Sequence, residues 1–164
     1  MTVAFFPGKA RRAGVALGAV SAGLLVLSAC DKPTPLATVT VGTGSVSGEA
    51  ACYERDGKQI AASALPGCVK KAPTKTVSTS LENTIRVGVD PELADHGWVI
   101  FVDGQPIDPE LTKTTYRTIP ASQFFAPDPQ TNQPAPAKRQ LSILQIDNGK
   151  PVGVWNFAVK KSSS

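Results

Sequence analysis

An all-β fold, a single antiparallel β-sandwich, is predicted by three features of this sequence. Apolar residues alternate with period two, Gly- and Asn-containing turns separate the alternating runs, and no long stretch has helical spacing. In "ATVTV", 37–41, Ala37, Val39 and Val41 share one face and Thr38 and Thr40 the other. "TIRVGVD", 84–90, puts Ile85, Val87 and Val89 together against Arg86 and Asp90. "WVIFV", 98–102, is apolar on both faces, as a central strand requires. "TTYRTI", "LSILQI" and "VWNFAV" continue the pattern, the last with Trp155, Phe157 and Val159 opposite Asn156 and Ala158. Asp103-Gly104 follows one strand, and Asp147-Asn148-Gly149 separates two others. Asn-Gly supplies the positive φ angles of a type I′ hairpin. About seven short strands in roughly 120 residues fit a sandwich of immunoglobulin-like size.

The region before residue 37 has a different character. Lys9, Arg11 and Arg12 form a basic head, and no acidic residue precedes Asp31. Ala13 to Val26 is a run of 14 small and apolar residues. That is shorter than the ~20 needed to cross a bilayer and matches the hydrophobic region of an export signal. Leu27-Ser28-Ala29-Cys30 closes the run and resembles a bacterial lipobox. The resemblance implies cleavage before Cys30 and a diacylglycerol on its thiol. The expected organisation is a signal peptide over 1–29, a lipidated tether over 30–36 and the β-sandwich domain over 37–161. Arg11-Arg12 leaves both the general secretory and the twin-arginine routes open, although no strongly apolar residue directly follows the pair.

Cleavage would change the charge balance. Removing 29 of 164 residues leaves 135, and the three basic residues of the head leave with them. Of 17 Lys and Arg, 14 remain against 13 Asp and Glu, a formal charge of +1. A nucleic-acid partner calls for a concentrated basic surface, so none is expected. Lys70, Lys71 and Lys75 form a local basic cluster, either a solvated loop or a contact for anionic lipid or wall polymer. With Cys30 lipidated, Cys52 and Cys68 are left as an even pair, which outside the reducing cytosol reads as a disulfide. The bridge would tie a strand end to a nearby loop or to the short helical turn allowed by "SALPGCVKK".

Little in the chain offers catalysis. His96 is the single histidine, and Gly-x-Ser-x-Gly, His-Glu-x-x-His, phosphate-loop and dinucleotide patterns are absent from the sequence. No cofactor and no transition-metal site is expected. Asp90, Glu92, Asp95, Asp103, Asp108 and Glu110 place six carboxylates within 21 residues. Oxygen ligands suit calcium, but the spacing fits no familiar calcium loop. Asp-Pro-Glu-Leu at 90–93 and again at 108–111 reads as two capped helical turns. The Pro-rich stretch 126–139 reads as a long exposed connection. Trp98 and Trp155 are expected in the core. Phe124-Phe125, read as extended, would turn one ring outward, which makes Phe125 a candidate partner contact beside Tyr116 and Arg117.

"ARRAGVALG", "LSACDKP", the "GVD…GW…F…DGQ" core, "TYRTIP" and "GVWNF" together resemble small uncharacterised lipoproteins of high-GC Gram-positive bacteria, catalogued as a domain of unknown function. The resemblance implies a lipid anchor at Cys30 and one β-rich domain, and it transfers no catalytic residue. The expectation is a non-enzymatic binding or scaffolding module, held on the outer face of the cytoplasmic membrane by its lipid. Its partner would be an envelope protein or wall polymer. The alternative is an envelope enzyme or accessory subunit using acidic residues around 90–110, such as Asp95 and Asp103, if the fold brings them together.

Overall fold

Residues 33–162, apart from 57 and 129, are described by a computed structural model of the chain. Two sheets face each other. The first has the order β2-β1-β5-β8, from Gly44–Gly48, Ala37–Val41, Thr84–Val89 and Tyr116–Pro120, and is antiparallel throughout. The second has the order β3-β10-β9-β6-β7, from Cys52–Tyr53, Lys150–Lys161, Lys138–Asp147, Trp98–Val102 and Gln105–Thr112. Strand β4, Thr76–Thr79, continues the β3 side of β10 and pairs with it in parallel. The fold is thus the expected all-β sandwich, with one parallel pair in an otherwise antiparallel framework. Short helices occupy Leu65–Lys70, Pro91–His96 and Ala121–Phe124.

The alternation written in the sequence decides which side chains meet. Ala37, Val39 and Val41 of β1 and Ile85, Val87 and Val89 of β5 turn inward from the first sheet. They meet Trp98, Ile100, Leu141, Ile143, Trp155 and Phe157 from the second, all within one buried cluster. The apolar second face of "WVIFV" has its own use. Val99 is buried with Leu144, Val154, Ile60 and Cys68 in a smaller cluster, and the half-buried Phe101 packs against it. The Leu65–Lys70 helix covers this outer face. It is tied to β3 by the Cys52–Cys68 disulfide, whose Cα atoms lie 5.7 Å apart. Asn156, on the face of β10 opposite Trp155 and Phe157, is buried here. Its Nδ2 donates to the carbonyls of Cys68 and Lys71, both at 2.9 Å, and its Oδ1 accepts from Ser142 Oγ at 2.8 Å.

Both predicted turns form with positive φ at both central residues. Asp103 and Gly104 have φ of 50° and 83°, and Asn148 and Gly149 have 48° and 77°. The two Asp-Pro-Glu-Leu segments part company. The first begins the Pro91–His96 helix, with Asp90 at its N-cap position, but the Asp90 side chain does not cap it. Its Asp90 carboxylate accepts from the Leu36 amide at 2.7 Å, fixing the chain where it enters β1. The second lies within β7, an edge strand where a proline costs no ladder hydrogen bond on its open side.

Residues immediately before β1 also belong to the folded unit. Trp155 Nε1 donates to the Pro35 carbonyl at 2.9 Å, and Thr34 Oγ1 accepts from the Ala50 amide at 3.4 Å. The stretch expected as free tether is therefore tied down from Thr34 onward. Cys30 and residues 1–29, expected as a signal peptide, lie outside the described residues.

Candidate functional site

The open side of the sandwich, where β7 edges one sheet and β8 edges the other, gathers two of the three residues singled out as partner contacts. Clefts of about 520 and 790 Å³ elsewhere on the domain are larger, but the β7–β8 cleft is the one lined by Arg117 and its partner Asp108. Its volume is about 370 Å³, with Ile100, Ile107 and Ile119 as an apolar floor and Asp108, Arg117, Thr118 and Gln123 completing its lining. Arg117 Nη2 donates to Asp108 Oδ2, so an ion pair spans the two sheet edges. The Glu110 amide donates to Asp108 Oδ1 at 3.0 Å.

Tyr116 begins β8 opposite Gly88, on the outer face of the first sheet, and is 66% exposed. Its position is fixed from below. Thr114 Oγ1 donates to the Tyr116 carbonyl at 2.8 Å, while the Thr114 carbonyl accepts from Nε1 of the buried Trp98 at 2.8 Å. Beside it the outer sheet face is lined with hydroxyls. Thr38 Oγ1 lies 2.8 Å from Ser47 Oγ, and Thr40 Oγ1 lies 3.0 Å from Ser45 Oγ. An exposed tyrosine, a paired charge and an apolar floor thus lie along this edge.

Phe125 is not part of it. The segment Ala121–Phe124 is a helical turn rather than a strand, so successive side chains do not point to opposite faces. Both rings are buried, Phe124 and Phe125 stacking edge to face with centroids 5.1 Å apart. Arg139 closes over them: Nη1 donates to the Phe124 carbonyl at 2.8 Å, and its guanidinium lies 5.8 Å from the Phe124 centroid. The only warning in the sequence was Pro120, which ends β8 just before the turn.

The carboxylates of 90–110 are dispersed. Asp95 is exposed on the helix before β6, and Asp103 lies in the turn after it, separated by a five-residue strand of roughly 16 Å. Asp103 is engaged by Arg139 Nε at 2.6 Å and by the Gln140 amide at 2.8 Å. Among the described residues, no three His, Cys, Asp or Glu side chains come together as a metal site. His96 faces Asp147 at the β9–β10 turn, with Nδ1 3.0 Å from Oδ1.

Hydrogen bonding depresses two carboxyl pKa values. Asp108 is held below the ordinary 3.8 chiefly by the Glu110 amide and then by Arg117. Asp128, in the Pro-rich connection, is held down by the Thr131 and Gln130 amides. Groups with lowered folded-state values stabilise the fold above the unfolded-state pKa, and that contribution fades as pH falls through the folded value. Acidification below about pH 4 is therefore expected to loosen the β7–β8 edge and the 128–132 turn. Carboxyl NMR titration checks this: midpoints for Asp108 and Asp128 belong below 3.8.

No protein-family model matches the sequence, and no curated protein matches it. Among solved structures, the chain is similar to the fibronectin(III)-like modules of Clostridium thermocellum CbhA. The identity is 10%, the alignment covers 57% of this chain and 95% of that one, and the TM-score is 0.37.

Proposed function

We propose that this protein is an exported lipoprotein, anchored through Cys30 to the outer face of the cytoplasmic membrane, that works as a non-enzymatic binding or scaffolding module of the cell envelope. The observation that carries the binding role is the β7–β8 edge, where Tyr116 is presented in the open beside the Asp108–Arg117 pair. The Cys52–Cys68 disulfide supports export, because such bridges persist outside the reducing cytosol. The separation of Asp95 from Asp103 by the length of β6 weighs against the enzymatic alternative. An envelope protein or a wall polymer remains the partner class.

The test is photo-crosslinking in intact cells from a benzoylphenylalanine placed at 116, with the same probe at Lys58 as control. One envelope component should be captured reproducibly from position 116, should be absent from position 58, and should be lost in the Cys30→Ala form. Equal capture from both positions, or capture indifferent to Cys30→Ala, contradicts the reading.

A further inference from the structure

A second charged groove, away from the β7–β8 edge, lies where the chain enters the domain. It encloses about 520 Å³ and is lined by Leu36, residues 47–51 and residues 71–75 together with Asn156. Lys71 and Lys75 stand on its wall and Lys70 directly precedes them, with Glu49 the carboxylate on its rim. Leu36, 41% exposed, adds an apolar contact beside the lysines.

Its three walls are fastened to one short piece of β10. The Lys71 carbonyl accepts from Asn156 Nδ2, and the Lys75 carbonyl accepts from the Ala158 amide, both at 2.9 Å. The Ala51 amide donates to the Val154 carbonyl at 2.7 Å, and Trp155 Nε1 holds the Pro35 carbonyl. Lys71 Nζ then bridges the walls by donating to the Ala51 carbonyl at 3.0 Å. Through Ala50 and Ala51, that ammonium lies within about 12 Å of Thr34, the first residue fastened to the fold.

Chain length completes the argument, which rests on the anchoring reading above. Four Cα steps separate Cys30 from Thr34, so their Cα atoms are at most about 14 Å apart. A diacylglycerol at Cys30 would hold the groove near the headgroups, where Lys side chains act over a Debye length of about 8 Å. We infer that the Leu36–Lys71–Lys75 groove is a seat for anionic phospholipid headgroups, which turns the anchored domain to a fixed orientation on the membrane.

The mature chain, purified from membranes with its lipid and verified by intact mass, can be placed in vesicles of phosphatidylcholine alone or with about 30% phosphatidylglycerol. Amide hydrogen exchange is then read across the domain. Phosphatidylglycerol should slow exchange in 48–51 and 70–76 by on the order of fivefold, while the 103–104 turn is unchanged. High salt, and the double substitution Lys70→Glu with Lys75→Glu, should each abolish that protection. With Cys30 lipidated, equal exchange in the two vesicles overturns the inference and leaves the anchor standing. An unmodified Cys30 overturns both. Protection by soluble poly(glycerol phosphate) over phosphatidylcholine vesicles, equal to that by phosphatidylglycerol, assigns the groove to wall polymer and also overturns it.

Discussion

Trp155→Ala is expected to destabilise the domain by about 3–5 kcal/mol, the range for removing a buried aromatic. The indole is fully buried and touches more than the central cluster. Its Nε1 holds the Pro35 carbonyl, and Tyr53 meets its ring edge to face with centroids 5.8 Å apart. Position 153 shows how closely the ring is packed: a Cβ built on Gly153 would lie 2.5 Å from the indole and 2.9 Å from Tyr53. Losing Trp155 therefore leaves a cavity, frees a buried carbonyl and releases the residues before β1. Against a typical total of about 5–15 kcal/mol, that leaves a marginal fold. Urea unfolding followed by circular dichroism measures the change. Trp155→Phe should recover only part of the loss, because one ring returns while the space of the second ring stays empty and the hydrogen bond to Pro35 is forfeited.

Replacing both Cys52 and Cys68 by alanine should cost about 2–5 kcal/mol. The 16-residue separation gives about 3 kcal/mol in the loop-entropy account. The effect should concentrate in the Leu65–Lys70 helix. At six residues it is too short to persist alone, and it is held over Val99, Leu144 and Val154 by the bridge and by Asn156. Hydrogen exchange in 65–71 should rise well before exchange in β9. Denaturant unfolding of the oxidised and double-alanine proteins gives the magnitude, and a difference below about 0.5 kcal/mol contradicts the assigned role.

The parts of the fold legible in the sequence are those where local pattern and tertiary environment agree. β1 and β5 alternate in sequence and in burial, and both hairpin turns follow from residues that tolerate positive φ. The two-faced "WVIFV" announced a strand covered on both sides. β2 was not visible, because "GSVSG" carries one apolar residue and is held by its ladder and hydroxyl pairs with β1. β7 was hidden by its prolines, whose helix-starting and edge-strand meanings are told apart only by neighbours distant in sequence. The same limit governs the site. Tyr116 and Arg117 stood out by residue type. The Asp108 partner and the burial of Phe125 depend on how β7, β8 and the Ala121–Phe124 turn meet in space.

The central claim is that Cys30 is the anchored N-terminus of a binding module, and the most direct measurement is the intact mass of the chain isolated from cells that produce the full sequence. The account predicts a chain that begins at Cys30, carries a diacylglycerol on its sulfur and retains the Cys52–Cys68 bridge. A chain still bearing residues 1–29, or one cut elsewhere with a free thiol at position 30, would contradict it.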